Sequence, residues 1–189
     1  MRVKLTMEEM LRRRRLAAGL EPSFTELAIE RTDGLDVNGM LAEELRQWYA
    51  GLLAGGDRSF LAVDSIAPAA AVVLTDPPAG GIRIALPENC RRVFDIRLRH
   101  WNRPATVEKA EELDRAYRRQ LNSYTAATPD NPVAVSDGNH IYAWPAAAGT
   151  TIASLSGVND PGEGVFEFDD TALSLMPRGP VPDYGLNKF

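Results

Sequence analysis

The sequence predicts an α+β fold in which N-terminal and inserted helices pack with an antiparallel β-sandwich, followed by an extended C-terminal arm. Helical spacing of apolar residues is confined to the first third of the chain and to one later insert, whereas strand-like segments predominate from residue 70 to residue 176. Proline and glycine then break the pattern over residues 177–189. A chain of 189 residues suits one compact domain, here residues 1–176, with the arm at 177–189.

Three helices are predicted from capping signals and apolar spacing. A capping box at Thr6–Glu9 begins the first, over about residues 6–19. The second covers about residues 37–53 and ends before Gly55-Gly56. The third is an insert over about residues 106–124. The second helix has the clearest apolar stripe, which consists of Leu41, Leu45, Trp48, Tyr49 and Leu52.

The clearest strand is predicted over Val93–Trp101, where apolar and charged residues alternate. Its core face carries Phe94, Ile96 and Leu98, and its outer face carries Asp95, Arg97 and Arg99. A hairpin is predicted around Asp137-Gly138. Further strands are predicted at residues 71–75, 82–86, 151–155, 165–168 and 171–176.

Charge and cysteine content exclude several classes of protein. A net charge of −5 and a pI near 5.1 argue against a protein whose main task is wrapping nucleic acid. The single cysteine, Cys90, excludes an intrachain disulfide and a thiolate metal cage. Four arginines lie where a secretory signal would need an apolar stretch, and no apolar run is long enough to span a bilayer. We therefore expect synthesis in the cytoplasm and no contact with a membrane.

The motifs of common catalytic sites do not occur in the sequence. It contains neither a phosphate-binding Gly-x-x-x-x-Gly-Lys loop nor a nucleophile elbow. His100 and His140 lie on separate predicted strands, where lone histidines are more often surface residues than metal ligands. Cys90 is more simply a small buried residue than a nucleophile. We expect no enzyme activity, no cofactor and no metal, although an enzyme with a non-standard site stays an alternative.

Two charge features suggest a role in assembly. The run Arg12-Arg13-Arg14-Arg15 spreads around a helix and usually marks a solvated surface, but in a ring of many copies it would face DNA or an acidic partner. Residues 91–119 are rich in arginine, whereas residues 160–170 hold five acidic residues and no basic one. Such opposite segments pair either within one fold or head to tail between copies.

The order of several segments resembles the head–tail connector, or adaptor ring, proteins of tailed bacteriophages. The resemblance covers about Asn38 to Pro145 and is one of pattern, without a diagnostic motif. The segments that carry it are Leu86-Pro87-Glu88, Val93–Leu98, His100-Trp101-Asn102-Arg103-Pro104-Ala105, Pro129–Ala134 and Ile141-Tyr142-Ala143-Trp144-Pro145.

This resemblance implies a non-catalytic structural protein of the virion, present in the host cytoplasm during assembly. It implies a homo-oligomeric ring between portal and tail proteins, with DNA passing through its centre. Members of the family often end in helices that engage the portal, whereas this chain ends in a Pro/Gly-rich arm. We therefore expect a different mode of docking, and the alternatives are a related but different ring or a prophage relative with another task.

We predict two sets of interface residues for such a ring. Arg97, Arg99 and Trp101 would anchor the charged strand face against a neighbour. Tyr184, Leu186 and Phe189 would let the arm bind an adjacent subunit or a ring below. The alternative is a monomeric β-sandwich module that binds a glycan or peptide on an aromatic platform of Trp101, Tyr142 and Trp144, unless these residues pack in the core.

Overall fold

The computed structural model describes residues 1–19, 36–75 and 80–178. Its helices and its large curled sheet confirm the predicted α+β class. The chain divides into two compact units, one made of Met1–Ala62 with Pro161–Phe189 and one made of Val63–Asp160. The interpretation of residues 1–176 as one domain stays a prediction.

Local hydrogen bonds fix the helix ends in the first unit. Helix α1 spans Met7–Ala17, and the predicted capping box is present between Thr6 and Glu9. The amide and hydroxyl of Thr6 both donate to the Glu9 carboxylate. These hydrogen bonds hold the pKa of Glu9 below its usual value. Helix α2 spans Val37–Gly55, and the Asp36 carboxylate accepts a hydrogen bond from the Gly39 amide at its start. The predictions for these two helices are confirmed.

A two-stranded antiparallel sheet completes this unit. It consists of β1, Arg2–Thr6, and β10, Val165–Asp169. The aromatic side chains of β10 pack against α2: the ring centroids of Phe166 and Tyr49 lie 5.1 Å apart, and those of Phe168 and Trp48 lie 5.7 Å apart. The apolar stripe predicted for the second helix therefore covers the sheet.

Tyr49 also binds the backbone of β10 on the side away from β1, next to an isolated bridge between Phe168 and Leu61. The backbone N–H of Glu167 donates to the Tyr49 hydroxyl at 3.0 Å, and that hydroxyl donates to the Glu167 carbonyl at 3.1 Å. One side chain thus satisfies both polar groups that Glu167 turns away from β1. An unpaired backbone group in a partly buried position costs about as much as a lost hydrogen bond.

The second unit contains an eight-stranded curled sheet with the order β2-β9-β5-β6-β7-β8-β4-β3. Neighbouring strands are antiparallel except β6 and β7, which are parallel, so the sheet is mixed rather than the predicted antiparallel sandwich. The strands are β2 Asp64–Ser65, β3 Ala70–Val73, β4 Ile82–Ala85, β5 Cys90–Leu98, β6 Ala105–Glu108, β7 Val133–Asp137, β8 His140–Trp144 and β9 Ile152–Asn159.

The alternation predicted for the clearest strand is present in β5. Phe94, Ile96 and Leu98 are buried, whereas Arg97 is exposed. Val93, Ile96 and Leu98 of β5 join a cluster with apolar residues of the other strands. That cluster includes Ile66, Ile82, Ile84, Val93, Trp101, Ala134, Ile141, Ala143 and Leu155.

The predicted helix over residues 106–124 is wrong at both ends. Residues Ala105–Glu108 form β6, which lies between β5 and β7, and helix α3 spans only Leu113–Gln120 after a short 3-10 turn. Thr106 and Val107 are β-branched, which favours the strand once neighbours exist on both sides. Residues of α3 and its flanks pack in a second cluster with β7 and β8. The buried members are Ala116, Val133, Val135 and Trp144.

Two smaller predictions are also corrected. The hairpin between β7 and β8 exists, but Asp137 pairs with His140, so the two turn residues are Gly138 and Asn139. Gly138 has a φ of 55°, as the first position of a type II′ turn requires. The predicted strand at 171–176 is a 3-10 helix over Asp170–Leu175, because the Asp169 carboxylate accepts a hydrogen bond from the Thr171 amide and turns the chain.

We expect Tyr49→Phe to lower the free energy of unfolding by about 1–3 kcal/mol, because it leaves both backbone groups of Glu167 without this hydroxyl. Tyr124→Phe is the matched control, since Tyr124 is 97% exposed and its loss should change stability by less than about 0.5 kcal/mol. Urea unfolding of both variants measures the difference. Equal stability of the two variants would contradict the role given to Tyr49.

Candidate assembly interface

The outer face of β5 is a polar surface of mostly short side chains. Arg97 and Arg99 are exposed, as predicted, and Arg97 pairs across the sheet with Ser154 of β9. On the same face, Asp95 accepts a 3.4 Å hydrogen bond from the Ser156 hydroxyl and pairs across the sheet with Thr106. Arg97 donates through Nε to the Trp101 carbonyl at 3.4 Å, and Arg99 lies in the turn that follows β5. Both arginines are exposed beside short serine and threonine side chains.

Trp101 does not belong to this surface. Its side chain is 1% exposed, and its indole N–H donates to the Pro145 carbonyl at 2.8 Å. The strand ends at Leu98, so the alternation that would have placed Trp101 on the outer face does not extend to it. The prediction of Trp101 as an interface anchor is wrong.

The aromatic platform of the binding-module alternative is not present either. Trp101 and Trp144 are both buried, and Tyr142 is half-buried. The ring of Tyr117 on α3 contacts Trp144 with centroids 5.2 Å apart, and burial raises the pKa of the Tyr117 hydroxyl. A Cβ atom at Gly81 would clash with the Trp144 indole, which shows how closely backbone lies against it. These aromatics pack in the core.

The run Arg12–Arg15 divides between surface and interior. Arg12 and Arg13 are exposed, and Arg15 donates a hydrogen bond to the Asn38 side chain. Arg14 is 1% exposed, and its Nε lies 2.9 Å from the Glu44 carboxylate of α2. Arg14 is therefore not a DNA-facing residue, in contrast to the prediction. Its spacing of four residues from Met10 places both on one helix face, and that signal indicates burial of Arg14 if Met10 is in the core.

The acidic segment 160–170 is largely paired inside the fold. Asp160 pairs with Arg91 at 2.7 Å, and Glu167 pairs with Arg2 at 2.7 Å. Asp169 and Asp170 both bind the N-terminal ammonium, at 2.9 and 2.7 Å. Of the two interpretations of the opposite charges, pairing within one fold accounts for these four carboxylates.

The histidines and the cysteine do not form a reactive cluster. A ring nitrogen of His100 lies 2.9 Å from the Pro145 carbonyl oxygen, and His140 lies on β8. Cys90 is half-buried, and burial raises the pKa of its thiol, which disfavours the nucleophilic thiolate. Within residues 1–19, 36–75 and 80–178, no three His, Cys, Asp or Glu side chains are placed to hold a metal ion.

The segment at the end of α3 forms a second exposed surface that sequence reasoning missed. Leu121 is 68% exposed and Tyr124 is 97% exposed, because α3 ends at Gln120 and leaves both beyond the packed turn. A shallow depression of about 500 Å³ lies beside α3. It is lined by Glu111, Asp114, Arg115, Arg118, Arg119, Asn122 and Thr125.

The predicted arm residues Tyr184, Leu186 and Phe189 lie outside the described residues. None of the helices in the described part of the chain has the length and apolar character that crossing a membrane requires. No family model matches the chain, and no curated protein matches it significantly.

We expect Arg14→Ala to lower the free energy of unfolding by about 2–4 kcal/mol, because it removes a buried side chain and its ion pair. Arg14→Met should lose less, since it keeps most of the buried volume. Arg13→Ala is the matched surface control and should change stability by less than about 0.5 kcal/mol. Chemical denaturation measures all three, and equal effects of the Arg13 and Arg14 substitutions would refute the burial argument.

The N-terminal ammonium should make stability depend on pH at both ends of the range. Its hydrogen bonds to Asp170 and Asp169 raise its pKa above 8.0. The contribution of the ammonium to folding stability is therefore full below pH 8.0 and is lost as the pH rises through the raised pKa. The ammonium also lowers the pKa of Asp169 below 3.8. The contribution of the Asp169 carboxylate to folding stability is therefore present above pH 3.8 and is lost as the pH falls through the lowered pKa.

Melting temperatures from pH 6 to pH 10 test the alkaline part of this expectation. Asp169→Asn with Asp170→Asn should flatten the alkaline decline, while the exposed Glu163→Gln in the same unit should leave it unchanged. An alkaline decline of the same size in the double variant would show that other groups cause it.

Proposed function

We propose that this chain is a non-catalytic structural subunit that forms a homo-oligomeric ring between the portal and tail of a bacteriophage virion. Its partners would be copies of itself, portal and tail proteins, and the DNA that passes through the ring. It would be present in the host cytoplasm during assembly and in the virion afterwards. The resemblance in sequence pattern suggests the family, and the outer face of β5 is the observation that carries the assembly role.

That face has the properties of a surface that binds another protein. Arg97 and Arg99 are exposed on or beside a strand whose neighbours on this face end in short hydroxyl side chains, including Ser154 and Thr106. Arginine is enriched in protein interfaces because its planar head forms several hydrogen bonds and stacks on flat groups. Short neighbours leave the arginine heads accessible to a facing subunit.

The end of α3 offers a further contact surface. Leu121 and Tyr124 are large and exposed, and Arg118 on the same helix is exposed as well. Tyrosine and arginine are the residues most often found at binding hot spots. We assign this surface to a portal or tail protein, since a ring between two other rings needs contacts besides those between its own copies.

Two of the four N-terminal arginines are suited to contact DNA. Arg12 and Arg13 are exposed on α1, and the ring would multiply their charge around the opening. The net charge of −5 fits brief, non-specific contact rather than wrapping. Tyr184, Leu186 and Phe189 are assigned to the arm that would bind an adjacent subunit or a ring below.

Light-scattering mass across a concentration series, with and without a candidate portal protein, tests the proposal. We expect a large oligomer of defined mass, alone or when the portal is added. Arg97→Ala with Arg99→Ala should reduce the oligomer by at least tenfold in association constant, because both anchors lie at the proposed interface.

Arg12→Ala with Arg13→Ala removes the same charge from a different surface and serves as the matched control. This control should keep the oligomer mass of the natural sequence. A monomer that ignores the portal would overturn the proposal, and an unchanged oligomer in the Arg97/Arg99 variant would overturn the assignment of the interface.

A further inference from the structure

Strand β3, Ala70–Val73, lies at one end of the eight-stranded sheet and pairs on one side with β4. Within the described residues, no strand lies on its other side. Its residues Ala70, Ala71 and Val72 are exposed, and the Val72 side chain is 53% exposed. The strand contains only alanine and valine. An exposed edge of this composition readily pairs with another strand.

The other edge strands each carry a feature that prevents such pairing. Strand β1 carries Arg2 and Lys4, and β10 has the Tyr49 hydroxyl on the backbone of its residue Glu167. Strand β2 is only two residues long. Charged residues, covered backbone groups and short length are the known protections of sheet edges. Among the four edge strands in the described part of the chain, β3 alone has none of them.

The register of β3 shows which backbone groups point outward. Val72 pairs with Arg83, and the Leu74 amide donates to the Gly81 carbonyl, so these even-numbered residues direct their backbone groups toward β4. Since the direction alternates along a strand, the N–H and C=O groups of Ala71 and Val73 point away from the sheet.

We propose that β3 pairs antiparallel with β3 of a second copy about a two-fold axis at Val72. In this register Ala71 lies opposite the partner subunit's Val73, and each such pair exchanges two backbone hydrogen bonds, about four in total. Val72 then lies opposite the partner subunit's Val72 in a non-hydrogen-bonded pair, where side chains approach most closely.

Charge favours a second copy as the occupant. The strand carries no charge, so the two-fold axis brings no like charges into direct contact. The nearest cation on this face is Arg83 of β4, which is exposed and adjacent to Val72. The two copies of Arg83 would be separated by three strand spacings, about 14 Å, which exceeds the screening length of about 8 Å at physiological salt. Their repulsion is therefore weak.

This two-fold contact goes beyond the ring proposed above and does not depend on it. A ring is closed by head-to-tail contacts, in which two different surfaces meet, whereas a two-fold contact joins one surface to itself. The two contacts also use different residues, Val72 here and Arg97 with Arg99 there.

Sedimentation of the full chain across a concentration series tests the two-fold contact. We expect a reversible equilibrium in which the natural sequence doubles its mass, from monomer to dimer where no ring forms without the portal. Val72→Lys should weaken it at least tenfold, because two lysines would meet at the axis. Val72→Thr is the matched control and should retain the dimer, since threonine is β-branched, uncharged and similar in size. Circular dichroism melting checks that each variant folds.

Val73→Pro tests the backbone part of the contact separately. The Val73 N–H points away from β4, so proline should be tolerated in the fold but should remove a hydrogen bond to the partner and weaken the dimer.

A natural chain that stays monomeric, or a Val72→Lys variant that dimerises as well as the natural sequence, would overturn the proposal. A dimer that is lost in Val72→Lys but never forms a ring with the portal would support this contact and count against the proposed function. A ring that depends on Arg97 and Arg99, in a chain whose mass never doubles in a Val72-dependent way, would support the proposed function and overturn the two-fold contact.

Discussion

Backbone N–H and C=O groups at the edges of a sheet need hydrogen-bond partners, and this requirement is the main constraint on both compact units. In the first unit, a helix residue, Tyr49, solves it by placing one hydroxyl between the N–H and C=O groups of Glu167. Because Phe166 and Phe168 flank that residue and pack on the same helix, the hydrogen bonds and the aromatic contacts fix α2 against β10 together. In the second unit the same constraint is met by continuing the sheet through eight strands, which leaves the short β2 and the uncharged β3 at its ends.

Strand β7 explains why the inserted helix is part of the fold rather than an addition to it. Val133 and Val135 are buried in the cluster with α3, and Ala134 between them is buried in the cluster inside the curled sheet. A strand buried on both faces needs a covering layer on each. Helix α3 provides one of these layers, so its exposed end, with Leu121 and Tyr124, is held in a fixed place on the unit.

The features that sequence reasoning predicted well depend on neighbours in the chain. The capping box at Thr6 consists of hydrogen bonds across three residues, and the spacing that reveals it is local. The strand at Ala105–Glu108 was missed because its state depends on β5 and β7, which lie on either side of it in space. Likewise, the burial of Arg14 depends on Glu44, thirty residues away, and a run of four arginines suggests only a charged surface. The exposure of Arg97 was predictable because strand alternation holds there, whereas the burial of Trp101 depends on its contact with Pro145, forty-four residues away.

The pairing of β1 with β10 has a consequence for the order in which the protein folds during synthesis. The partners of Arg2–Thr6 are Val165–Asp169, so the first strand to leave the ribosome is completed only by one of the last. At about 5–20 residues per second, the wait is roughly 8–30 s. The unit Val63–Asp160 is continuous in the chain, and its most distant pairing, Asp64 with Gly157, has a shorter wait of roughly 5–18 s. We therefore expect the unit Val63–Asp160 to fold first. Because β2 pairs with β9, its folding brings its own first and last residues close together, which shortens the loop that the other unit has to close.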